Sequence, residues 1–202
     1  MGHNTIYAHR TGSAVGQMFF AGFGTLWMTG WCLQTHGVDW PMLGLIVLAG
    51  GTLFLWAMCD FRAFRPHADM NAEPEARKAR QRVFRWVNLM QWLAVFAVSF
   101  ILSALGHPEW STPAVVLIVG LHLIPLARIF HATRHYVTGI ALIVVALAYP
   151  WMNGGGPNYP SGEFATGAIL WISALYTSLR GHLGKSSGGV VERQGVLANE
   201  VR

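Results

Sequence analysis

Few side chains in this 202-residue sequence could do chemistry, and His122 is the best placed of them. It stands near the middle of an apolar run, PAVVLIVGLHLIPLARIF, three residues before Pro125. If Pro113 starts a helix, His122 lies about 14 Å along it, at roughly 1.5 Å per residue. That is close to the midplane of a bilayer. Pro125 has no backbone N–H, so it frees the carbonyl of Leu121 and favours a kink. An imidazole beside an interrupted helix at that depth is a candidate ligand site. The competing reading is a neutral histidine hydrogen-bonded to a carbonyl or to a polar neighbour on another helix.

Such a neighbour is available upstream. Asn88, Gln91, Ser99 and Ser103 fall within about 120° of one another on a helical wheel. They must face protein or water, because lipid offers no hydrogen-bond partners. Asn88 and Gln91, with His122 and Pro125, form the candidate ligand-binding set. His131 and His135 have the i, i+4 spacing that can ligate a metal, but they sit in a basic turn with no acidic residue nearby. Metal ligation is not their expected role. His122 could serve as one axial ligand of a haem, but no second deep histidine is evident on another helix. Walker, HExxH and paired-cysteine motifs are absent from the sequence, so no catalytic residue, metal or cofactor is expected.

The elements that must position these residues are membrane helices. Hydrophobic residues make up 53% of the chain and charged ones 11%, whereas soluble domains carry roughly a quarter charged residues. Six apolar stretches approach the ~20 residues that span a bilayer. They are Val15–Gln34, Pro41–Cys59, Val83–Leu105, Pro113–Phe130, Tyr136–Met152 and Phe164–Arg180. The expected fold is all-α: a polytopic membrane protein of six transmembrane helices in one domain, residues 1–180. The Gly- and Ser-rich tail from 181 to 202 reads as flexible.

All fourteen Lys and Arg fall at the termini or in alternate connections, around 62–85 and 128–134. The connections 35–40, 106–112 and 153–163 contain none. Positive charge marks the cytoplasmic side, so both termini are expected to be cytoplasmic in a bacterial inner membrane. The pI near 9.7 is then a topology signal, and nucleic acid is not an expected partner. Membrane lipids are. The basic segment EARKARQRVFRW would attract anionic headgroups, and the preceding FRAFRPHADMNAEP reads as a loop with Asn71 as a helix cap.

Two outer connections, THGVDWP and GHPEWSTP, each carry His, an acid, Trp and then a Pro that opens an apolar helix. They suggest three parallel helical hairpins, with Trp40, Trp110 and Trp151 in an outer aromatic belt. Helix 1 is rich in small residues, Gly16, Ala21, Gly22, Gly24, Thr25 and Gly30. These suit close packing within the bundle or, between copies, a homo-oligomer. Cys32 and Cys59 fall at opposite ends of their helices, too far apart for a disulfide.

The run WSTPAVVLIVGLHLIPLARIF, followed by Tyr136 and Gly139, resembles the central region of an uncharacterised family of small six-helix bacterial inner-membrane proteins. In that family a Gly-rich fourth helix with a Pro is followed by a Gly in helix 5. The resemblance implies the six-helix fold and no activity. Three function classes fit: a small-molecule or ion permease or channel with a polar path along helices 3 and 4, a structural or accessory membrane protein, and a membrane enzyme or redox protein using His122. The first is the leading expectation and the second its main alternative.

Overall fold

A computed structural model of the chain describes residues 3–69, 74–129, 133–152 and 156–179. The expected Asn71 cap, His131 and the tail lie outside the described residues. The structure is all-α, with six long helices: α1 (His3–His36), α2 (Trp40–Asp69), α3 (Pro74–Ala104), α4 (Ser111–Ile129), α5 (Thr133–Ala148) and α6 (161–179). Among the described residues, three segments are long and apolar enough to cross a membrane: Trp40–Phe64 in α2, Gln81–Ala104 in α3, and Pro108–Arg128, which joins a short 3-10 turn (Pro108–Trp110) to α4.

The helices match the expected stretches in number and order but overrun several of them. Helix α1 begins at His3, well before the apolar run, and α2 continues through Phe61–Asp69, where a loop was expected. Backbone hydrogen bonding does not stop where hydropathy does, and Arg, Ala and Phe all tolerate a helix. Pro74 opens α3, where its missing N–H costs nothing. Pro125 lies inside α4, which continues past it to Ile129.

Each connection that lacks Lys and Arg contains a glycine with positive φ: Gly37 at 68°, Gly106 at 77° and Gly156 at 71°. That conformation is open to glycine without the Cβ penalty other residues meet. The acids of the two similar connections do different work. Asp39 caps α2, its Oδ1 accepting from the Met42 N–H at 3.1 Å, while Glu109 pairs with His107 Nδ1 at 3.0 Å. All three connections share one end of the bundle, since Trp110 meets Trp151 at 6.1 Å and Trp31 meets Phe164 at 4.9 Å. Cys32 is buried and Cys59 exposed, and both are free.

Helix α1 packs along α2, α3 along α4, and α4 along α5. Helix α6 fills the remaining gap, bonded to α1 through Gln17 and to α5 through Thr138 and Ser173. The main core joins Phe20, Val116, Leu123, Leu142, Ala146 and Leu170 from α1, α4, α5 and α6. Helices α2 and α3 lie outside this group. No residue of the Gln81–Ala104 segment is buried, and Phe96 and Phe100 stand 67% and 75% exposed. Apolar surface on that scale is unusual on a soluble monomer and is what a lipid-facing helix presents.

Two of the residues that carry the family resemblance meet where α4 crosses α5. A Cβ on Gly120 would lie 2.9 Å from the Gly139 carbonyl oxygen, and one on Gly139 would lie 2.8 Å from that of Gly120. Backbones this close leave no room for any side chain. The crossing fixes how α4 presents His122 and how α5 presents its first turn.

Candidate functional site

A cavity of about 280 Å³ lies between α1, α3 and α4, with α5 and α6 closing its back. Its lining comes from the middle of α1, the first half of the α3 span, the second half of α4 and the start of α5. It therefore sits toward the end of the bundle that holds the chain start and the basic α4–α5 turn. Most of the wall is apolar, and much of it is aromatic: Phe19, Phe20, Phe23, Trp27, Phe84 and Trp92.

Three of the four residues expected from sequence meet here. Asn88 and Gln91 project from α3, and His122 faces them from α4. Pro125 does not line the cavity; it is exposed on another face of α4. Ser99 and Ser103, farther along the α3 stripe, are also outside it. Of the polar stripe on α3, only Asn88 and Gln91 reach the cavity.

A fourth polar group was missed. His135, read on sequence only as part of a basic turn, is 3% exposed and lines the same cavity from α5. It is a buried histidine on another helix, in the first turn of α5. The signal was in the spacing: His135, Thr138, Gly139, Leu142 and Ala146 recur at helical intervals and form the buried stripe of α5. Its position beside Arg134, in a turn rich in charge, masked that register. The aromatic wall was equally legible, because Phe20, Phe23 and Trp27 follow i, i+3, i+7 along helix 1. The small residues of that helix drew attention to its other face.

The cavity wall carries no formal charge. None of the lining residues is Asp, Glu, Lys or Arg. Among the described residues, Asn88, Gln91, His122 and His135 have no hydrogen-bond partner in the protein. The expected alternative for His122, a bond to a carbonyl or to the Asn88/Gln91 stripe, is therefore not made. His135 Nδ1 is fully enclosed and unpaired, a state that costs about 1–3 kcal/mol and calls for a reason. Its ring packs edge-on against Phe20 at 5.3 Å.

Elsewhere in the described residues, no cluster of three or more His, Cys, Asp or Glu could hold a metal ion. A second buried ionisable group lies at the opposite end of the bundle. Glu163, at the start of α6, accepts from Gln34 Nε2 at 2.6 Å through Oε1, while Oε2 is unpaired. Burial holds its carboxyl above the usual range, opposed by the Gln34 bond. Comparison with protein-family models, curated proteins and solved structures finds no match to this chain.

Proposed function

We propose that this protein is a small-molecule permease of the bacterial inner membrane, with the α1–α3–α4 cavity as its substrate site. In this reading all six helices span the bilayer as three parallel hairpins. Both termini and the basic turns face the cytoplasm, and the basic first turns of α3 contact anionic headgroups. The observation that carries the proposal is a cavity reaching His122, lined by four polar side chains that have no hydrogen-bond partner among the described residues. Packing residues in a membrane bundle find interhelical partners; these four do not. A mostly apolar pocket with a few convergent polar groups is the usual form of a small-molecule site.

The test is chemical access. In a variant with Cys32 and Cys59 replaced by serine, Val119→Cys places a thiol on the cavity wall, and Val116→Cys places one in the closed core, where Val116 is 0% exposed. Methyl methanethiosulfonate, small and uncharged, should modify the first in intact membranes and spare the second. An unreactive Val119→Cys protein would remove the site. Topology is tested by reporter fusions: Arg10, Asn71, Arg134 and Lys185 should report cytoplasm, and Gly37, Gly106 and Gly155 the outside. One reversed signal at an outer position would break the six-span reading.

A structural or accessory role is the second reading, and the α1–α6 seam favours it. There Gln17 bonds Ser178, Trp171 bonds Thr25 and Gln34 bonds Glu163. Polar residues are spent on assembly along that whole seam. A Val119 position closed to the reagent would leave this reading standing.

A further inference from the structure

The ligand class can be read from how the cavity is walled and where it opens. Helix α1 packs closely along α2, but toward α3 it is bridged by two aromatic pairs, Phe19–Phe84 at 6.4 Å and Phe23–Trp92 at 6.3 Å. Phe19 and Trp92 line the cavity and are also 45% and 48% exposed on the side of the bundle. The cavity thus reaches the lateral surface between α1 and α3, at the level of apolar helix. A ligand using that opening comes from the lipid phase.

Its chemistry follows from the wall. With no charged lining residue, the site offers nothing to compensate an ionic ligand for lost hydration. Flat aromatic faces on two sides suit a planar ring. The volume of about 280 Å³ lies at the small end for ligand pockets, enough for a ring but not for a long chain as well. The polar groups lean toward donation: Asn88 and Gln91 each carry an NH₂, His122 and His135 each carry a ring N–H when neutral, and the Trp27 and Trp92 indoles are donors only.

We infer that the cavity binds the head group of a lipid-soluble quinone, a planar uncharged ring with carbonyl acceptors, whose tail leaves between α1 and α3. His135 anchors it. The Cε1–Nε2 edge of that ring faces Gly16, where a Cβ would lie 3.2 Å from Cε1 and 3.5 Å from Nε2. Glycine at position 16 leaves that edge open to the cavity, which both residues line. The inference rests on the proposed substrate site and adds to it the ligand and its route.

Decylubiquinone tests it, because its ring is fully substituted and does not add thiols. In membranes carrying Val119→Cys, it should protect that thiol from methyl methanethiosulfonate saturably. Decanol at equal membrane concentration should not. His135→Leu and Gly16→Ala should each weaken protection about tenfold, as expected for one lost hydrogen bond in a dry site. Thermal unfolding is measured alongside, and if His135→Leu fails to fold, Gly16→Ala and Asn88→Leu carry the comparison. Equal protection by decanol, or none by the quinone at a thiol that the reagent still modifies, overturns the quinone assignment while the substrate site stands. A thiol that the reagent never reaches overturns both.

Discussion

Helix α1 presents one face to α6 and another to α3, and the two seams are built on opposite terms. Toward α6 the backbones touch: a Cβ on Gly24 would lie 2.5 Å from Trp171 Cδ1 and 3.2 Å from the Gly167 carbonyl oxygen. Gln17, Thr25 and Gln34 each bond across that seam. Toward α3 the helices stand apart, bridged by aromatic rings, and Asn88 and Gln91 face a cavity with no hydrogen-bond partner among the described residues. The difference teaches how to sort polar residues in a membrane helix. The same amide side chain is glue where small residues let the opposite backbone close in, and a candidate site where bulky rings hold it off. Residue type alone does not separate the two.

The largest effect should come from forcing the closed seam apart. Gly24→Leu puts a branched side chain where Trp171 and the α6 backbone already sit, and making room for it would open the Gly24–Gly167 contact. Overpacking of this kind costs about 3 kcal/mol. The expected result is a large drop in thermal midpoint or loss of folded protein from the membrane, read by size exclusion in detergent. A protein that tolerates Gly24→Leu would show that the seam is not closed.

A smaller loss is expected from Gln17→Leu. The amide donates to Ser178 Oγ at 3.2 Å and lies 3.5 Å from the Ala174 carbonyl oxygen. Interhelical hydrogen bonds in membranes are worth about 0.6 kcal/mol on average and up to about 1.7. Gln17 is 4% exposed, so a value near 1 kcal/mol is expected from its unfolding curve. No change would mean that shape alone, and not polar bonding, holds α1 to α6.

Much of the fold was legible because membrane helices announce themselves. The apolar runs, the charge-free connections and the glycines that close them are local signals, and the six helices follow their order. The overrun of α2 to Asp69 was hidden because hydropathy reports lipid contact and not hydrogen bonding. The site was half legible. Asn88, Gln91 and His122 declare themselves as polar residues in apolar surroundings, and the structure brings them to one cavity. His135 and Pro125 exchanged places relative to expectation for a single reason: a sequence shows what flanks a residue along the chain, and neither one's helix face is set by its flanks. His135 is carried inward by the Gly120–Gly139 crossing, while Pro125, three positions from His122, points elsewhere.

Glu163 sharpens the comparison from the closed side, because it is the place where that seam is imperfectly paired. Its folded pKa is raised by burial, with the Gln34 bond pulling the other way. A raised carboxyl pKa gives stability that is fully present below the unfolded value, about 4.3 for Glu. That stability is lost as pH rises through the folded pKa. Glu163→Gln keeps a partner for Gln34 and removes the charge. The variant's unfolding midpoint should therefore gain on wild type with rising pH and level off once Glu163 is ionised. A difference that is flat with pH would mean that Glu163 ionises in the fold as freely as in the unfolded chain.

The smallest stability effect should come from the open seam, and there the comparison is most exposed to failure. Asn88 and Gln91 are half-buried on α3 and have no hydrogen-bond partner among the described residues. Replacing both with Leu removes no interhelical bond and leaves no polar group behind. The change in unfolding free energy should stay within about 0.5 kcal/mol, as for substitutions away from packed or bonded positions. Ala97→Leu, on the exposed face of the same helix, is the control and should be equally silent. Binding should separate them: the double variant should lose protection of Val119→Cys by decylubiquinone, and Ala97→Leu should keep it. If the double variant unfolds as readily as Gln17→Leu, then Asn88 and Gln91 bond within the folded protein and belong with the glue. The distinction between the two seams of α1 would then fall, because polar residues on both would be serving assembly.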